Sequence, residues 1–369
     1  MKSKIILGIF LTLIFMVLLV LSSLFKGKKS NYPDNLYFAS GRDSVFILAR
    51  HSKVLMGSGN NSVGQLGTDG KIKRAGFNTV MTDVIYVEAG DQTAFIIKSD
   101  NSLWGTGLND EGQLGTGDTQ NVYKWTKVLD NVLAVSTTGK HSLALKRDNT
   151  LWVTGRNTEG QLGDGTNISS TNWKSVLNSV LNISCGETHS LIVKIDRSLW
   201  ITGNNKYGQL GLADNIDRNT WQKSLDHVIS VASKGNHSLA LKNDNSLYVC
   251  GKNDKGQLGI GDINNRNIWT LSLKNISKIY SGIENSYALD MFGLSATGGN
   301  SYGQLGIGTI NSGGKWLKIF MDNSISGIGT GYYFNILYTL KSNNIWISGD
   351  VDKLGITDDK IQHRIWKKL

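Results

Sequence analysis

Trp152-Val-Thr-Gly155-Arg-Asn157-Thr-Glu-Gly160-Gln-Leu-Gly163 recurs almost unchanged at residues 104–115 and 200–211. Its core, Gly-Gln-Leu-Gly, begins at Gly64, Gly112, Gly160, Gly208, Gly256 and Gly303. Successive copies are therefore 48 residues apart, and the last step is 47. An eroded seventh copy, Asp352-Lys-Leu-Gly355, follows 49 residues after Gly303. A repeat of this length is one supersecondary unit that cannot bury its own faces and must stack on its neighbours. The 369 residues therefore predict one closed array, although length alone would suggest two domains.

Within the third unit, 132–136 is a short β-branched run and 141–146 alternates small with large residues, a period of two. Asp148-Asn149 signals a turn, and 150–154 reads as a strand apolar on both faces, as in a sheet covered on each side. After the glycine-rich loop, 173–176 reads as an outer strand. That strand repeats too, marked by Phe77, Trp125, Trp173, Trp221, Trp269, Trp316 and Trp366. Four short strands in each of seven units predict an all-β, seven-bladed propeller. Helical solenoids of similar period fail, because no segment has the apolar spacing of an amphipathic helix. The first unit starts at its innermost segment, 36–39, and the last ends at its outermost, so closure requires blade seven to pack on blade one.

Residues 5–25 are an uninterrupted run of uncharged, mostly apolar positions. At about 1.5 Å per residue they make roughly 30 Å of helix, enough to span a bilayer. The run exceeds the apolar segment of a cleaved signal peptide, and no small-residue cleavage pattern follows it. The expected organisation is a tail at 1–4, one transmembrane signal anchor at 5–25, a linker at 26–34 and the propeller at 35–369. The basic residues flanking the run nearly balance: Lys2 and Lys4 before it, Lys26, Lys28 and Lys29 after it. A large domain behind one N-terminal span is most simply exported, so a single-pass membrane protein with an extracytoplasmic propeller is expected.

The net charge is +10. Five positive charges and one negative precede residue 35, which leaves +6 spread thinly over the repeats. Nucleic-acid binding would call for a concentrated basic stripe, and none is present. Cys185 and Cys250 have no metal, redox or disulfide spacing and read as buried thiols. His141, His189 and His237 recur at 48-residue spacing, which could place them around a shared axis. Units one, two, six and seven have Ser44, Thr93, Asn285 and Phe334 there, so a metal ring would be incomplete. Hydrogen-bonding structural histidines are the simpler reading. Asp69-Gly70, Gly117-Asp118, Asp164-Gly165 and Gly261-Asp262 lack the spacing of a calcium loop and read as turns. The tryptophans could stack sugars, but blade-to-blade packing explains their spacing better. No P-loop, Gly-x-Ser-x-Gly or His-Glu-x-x-His pattern occurs. The sequence thus assigns no catalytic, cofactor-binding or metal-ligating residue, calls for no cofactor, and singles out no partner-binding residue.

The succession Gly139-Lys-His141-Ser-Leu-Ala-Leu145, Leu-Trp-x-x-Gly, Asn and Gly-Gln-Leu-Gly resembles the regulator of chromosome condensation repeat family over residues 35–369. The resemblance implies a seven-bladed propeller. It leaves the function open, because the family spans a nuclear exchange factor for the GTPase Ran, scaffolds, bacterial effectors and a secreted β-lactamase inhibitor. No exchange-factor contact loop matches residue by residue, and the repeats lack the proline that the family often places before the outer strand. Segments 116–124, 164–172 and 212–220 differ while the signatures repeat. Variable loops on a rigid scaffold are natural binding surfaces. The leading expectation is a membrane-anchored, monomeric, non-enzymatic propeller that binds a macromolecule, in the first instance a protein, through its inter-blade loops. Guanine-nucleotide exchange on a small GTPase is the alternative, and surface carbohydrate binding the second.

Overall fold

The computed structural model describes residues 36–70, 74–354 and 363–369. The expected membrane anchor at 5–25 and the linker at 26–34 lie outside the described residues. Among those described, no helix is long and apolar enough to cross a membrane. The described chain forms seven four-stranded antiparallel sheets, each made of consecutive strands paired in chain order. Blade one comprises Leu36–Ser40, Ser44–Ala49, Val54–Gly59 and Arg74–Met81, from the axis outward, and blade seven ends with His363–Lys368. No blade borrows a strand from the opposite end of the chain.

In blade three the strands are Val132–Thr137, His141–Lys146, Leu151–Gly155 and Ser170–Leu177. The second strand is buried along its whole length apart from its final lysine, as a sheet covered on both faces requires. Asn149 holds the turn between the second and third strands at φ 64°, a conformation asparagine tolerates better than most residues. The outer strand is longer than the sequence predicts, beginning at Ser170 and not Trp173. Its side chains are mostly polar and only Ser170 is buried, so only its pairing with the third strand, shifted at Val153/Gly155, defines its extent.

Between neighbouring blades lie apolar clusters that mix residues of both. One joins Leu143, Leu145, Leu151 and Val153 of blade three to Val180, Ile192 and Trp221 farther along the chain, with Leu162 fully buried among them. Closure uses the same packing. Leu36, Phe38, Val45 and Ile47 of blade one share a core with Phe334, Ile336, Tyr338 and Leu354 of blade seven. Ser58 Oγ also donates to the Leu354 carbonyl, at 2.8 Å. The eroded signature therefore keeps its leucine plug, on a short 3-10 turn at Asp352–Leu354.

Antiparallel order gives the disc two distinct faces. One, the loop face, carries the links from first to second strand and the long glycine-rich loops from third to fourth. The other, the turn face, carries the tight turns from second to third strand and the links from each blade to the next. Leu36 begins the first strand on the turn face, and the chain ends there at Leu369.

Candidate binding face and central channel

The repeated signature is structural in every blade where it is described. Asn157 Oδ1 accepts the Leu162 N–H at 2.8 Å, and its Nδ2 donates to the Thr166 carbonyl at 2.9 Å. The same pair of contacts recurs from Asn61, Asn109, Asn205, Asn253 and Asn300. Gln161 Oε1 accepts the Glu159 N–H at 3.0 Å. The closing glycine then lies under the outer tryptophan of the following blade. A Cβ at Gly163 would sit 2.3 Å from Trp221 Nε1. The tryptophan series is thus committed to blade-to-blade packing.

The three histidines form no metal site, and no group of metal-ligating side chains occurs among the described residues. Each instead reaches into the next blade. His141, His189 and His237 place Nε2 at 2.9, 2.8 and 2.9 Å from the hydroxyls of Ser190, Ser238 and Ser286. Those serines donate to the carbonyls of Gln161, Gln209 and Gln257. With the serine proton committed to a carbonyl, Nε2 must be the donor and Nδ1 the unprotonated nitrogen. Burial pushes the three imidazoles down to about 4, 3 and 4. Cys185 and Cys250 are both buried and unpaired by disulfide, as expected.

The innermost strands enclose a central channel of about 460 Å³. Lys234 of blade five extends across it, donating to the Ser40 carbonyl at 2.7 Å and the Thr330 carbonyl at 2.5 Å. One ammonium thereby ties blade five to blades one and seven. Glu88 lines the same channel, with Tyr86 Oη 3.3 Å away. Burial raises the Glu88 carboxyl to about 7 against the opposing pull of Lys234, and burial lowers Lys234 to about 8 against the pull of Glu88. Both side chains keep partial contact with channel water, which weakens such shifts. Lys234→Met is expected to move the Glu88 carboxyl further up, because the cation that favours its ionised form is lost. A carbon-detected NMR titration of Glu88 reads this directly, and an unchanged midpoint refutes the coupling.

The regulator of chromosome condensation (RCC1) repeat profile matches residues 84–113, 132–161, 180–209 and 228–257, and a second profile of that repeat matches 148–193. The chain carries RCC1 repeats in blades two to five of a seven-bladed propeller. No curated protein sequence matches it significantly. Yeast RCC1 (Prp20), solved bound to Kap60, superposes with a TM-score of 0.69 at 21% identity over 80% of this chain and 77% of that one. Human WBSCR16 superposes with a TM-score of 0.68 at 22% identity over 84% and 92% of the two chains. The receptor kinase CR4 ectodomain of Physcomitrella patens gives 0.51 at 15% identity over 85% and 72%. At these identities the likeness is one of fold.

On the loop face of the propeller, the long loops hold a feature that the sequence does not single out. Ile168, Ile216, Ile263 and Ile310 occupy the long loops of blades three to six and are 70%, 64%, 63% and 42% exposed. They are spaced 48, 47 and 47 residues apart in the sequence. Only exposure distinguishes these isoleucines from core residues. Nearer the axis the same face carries Asp91, Glu187 and Glu284 together with Lys140 and Arg42, the last 3.8 Å from Asp91. Tyr302 and Tyr333 meet edge to face at 4.7 Å beside them.

Proposed function

We propose that the protein is a membrane-anchored, non-enzymatic scaffold whose loop face binds a protein partner. The observation that carries this reading is the arc of exposed isoleucines over four successive blades, on loops held rigid by the buried Asn and Gln contacts. A repeated apolar arc with a tyrosine-bearing centre of mixed charge suits a protein surface that is apolar at its rim and polar at its middle. Solved relatives are described with protein partners, Kap60 in one case and Gsp1p and histones in another, which supports the class of partner and not its identity. The run at 5–25 supports the anchor, with the propeller on the extracytoplasmic side.

The test is crosslinking and affinity capture of the full chain from native membranes, comparing wild type with Ile168→Asp/Ile216→Asp/Ile263→Asp. The side chains are exposed, so stability should change by less than about 0.5 kcal/mol per site. A defined protein partner should be captured by the wild type and lost from the variant. Equal recovery from both overturns the assignment of the loop face. Protection of the propeller from protease added to intact cells overturns the extracytoplasmic placement and directs attention to exchange on a cytosolic GTPase.

A further inference from the structure

The turn face differs sharply from one sector to another. In blades two to five the turn between second and third strands carries aspartate at its second position: Asp100, Asp148, Asp196 and Asp244. Each accepts a hydrogen bond from the residue two positions on, which closes these tips, and of the four only blade four adds an exposed apolar side chain, Ile195 at 52%. Blade six places Met291 and Phe292 at its tip instead, 71% and 68% exposed. Met321, in the link from blade six to blade seven, is 83% exposed, and Leu340 at the tip of blade seven is 38% exposed. Two hydrogen bonds tie the tips of blades six and seven to the link between those blades. Asn323 Nδ2 donates to the Met291 carbonyl at 3.0 Å, and the Leu340 N–H donates to the Ser324 carbonyl at 2.9 Å.

The surroundings of the patch are basic. Lys274 and Lys278 flank blade six, Lys341 lies beside Leu340, and Arg50 and Lys53 form the tip of blade one. Of the acids nearby, Asp290 is neutralised by Lys318 at 2.7 Å. Asp322 accepts the Ser324 N–H at 2.7 Å, and Asp83 lies in the link after blade one. The chain also comes in here, since Leu36 starts blade one on this face beside blade seven. Ten residues, 26–35, separate it from the apolar run, a span of at most ~35 Å when fully extended.

We infer that the sector of the turn face formed by blades six, seven and one docks on an anionic lipid surface. Met291, Phe292 and Met321 enter the headgroup layer, and the surrounding lysines and arginines meet lipid phosphates. The inference rests on the anchor reading of 5–25 and goes beyond it: the anchor holds the propeller near the membrane, and the patch fixes which side faces it. Exposed apolar tips ringed by basic side chains are the general form of an interfacial membrane contact. With the turn face held down, the loop face and its isoleucine arc point away from the lipid.

The test uses the full chain reconstituted in phosphatidylcholine vesicles with and without phosphatidylglycerol. An environment-sensitive fluorophore is attached at Ser342→Cys on the turn face, or at Asn167→Cys on the loop face. Cys185 and Cys250 are buried and leave the introduced thiol as the reactive one. Lipids spin-labelled at the headgroup should quench the turn-face probe several-fold more than the loop-face probe. The difference should grow with phosphatidylglycerol. It should collapse in Phe292→Asp/Met321→Asp and, should that variant fold poorly, in Lys274→Glu/Lys341→Glu. Vesicle flotation separates the two readings. A chain that floats with the vesicles but quenches equally at both probes keeps the anchor and overturns the docking. A chain that does not float overturns both.

Discussion

Unfolding free energy is expected to fall steeply as pH drops from about 6.5 towards 4, and His141→Gln/His189→Gln/His237→Gln should flatten that fall. The three imidazoles are fully buried and held at about 4, 3 and 4. In the unfolded chain a histidine titrates near 6.5. Depressed folded-state values mean that the unfolded chain binds more protons below that pH, so stability rises with pH across this window and is lost on acidification. At about 1.4 kcal/mol per unit, each histidine accounts for roughly 3 kcal/mol by pH 4. Glu88 acts in the opposite direction. Its carboxyl is raised to about 7, so its contribution is present at low pH and fades as pH rises. One partly hydrated carboxyl does not offset three dry imidazoles. Urea unfolding followed by tryptophan fluorescence at several pH values gives the slope. If the triple variant keeps the wild-type slope, the histidine ladder is not the acid switch. At neutral pH the variant should be the less stable protein, because glutamine repacks poorly in the histidine site.

Gly163→Ala should destabilise far more than Gly165→Ala, although only two positions separate them. Both glycines have positive φ, 65° and 82°, where any Cβ costs roughly 1–2 kcal/mol. Beyond that shared term the two differ. A Cβ at Gly165 meets nothing within 4 Å, whereas one at Gly163 falls 2.3 Å from Trp221 Nε1 and 2.7 Å from Trp221 Cδ1. The indole is wedged between blades with Leu162 and Ile192, so it cannot yield without opening the inter-blade core. Overpacking of this kind adds roughly 1–3 kcal/mol. Equal losses in the two variants, measured by denaturant unfolding, would show that backbone conformation alone explains the glycine.

Residues 1–35 carry the apolar run and linker, which the sequence alone describes. For the propeller, the 48-residue spacing determined the number of blades, and the apolar runs located the inner three strands of each. Spacing succeeds because each blade makes the same contacts with the next, so local residue type and tertiary role repeat together. For this reason the tryptophan series reads as blade-to-blade packing, while the approach of Gly163 to Trp221 emerges only in the fold. The outer strand's extent was not readable, because its mostly polar, half-buried side chains leave only backbone pairing to define it. The histidines could be placed in a recurring row, but their hydroxyl partners could not, since each lies 49 residues away across a blade boundary. Lys234 shows the limit most plainly. In sequence it is one more lysine before a glycine, and it becomes a tie across the channel only when closure brings Ser40 and Thr330, nearly 200 and 100 residues distant, within reach. The exposed isoleucines and the Met291–Phe292 tip belong with it. Apolar residues in a sequence default to core, and only the closed ring, by leaving these outside, makes them surfaces.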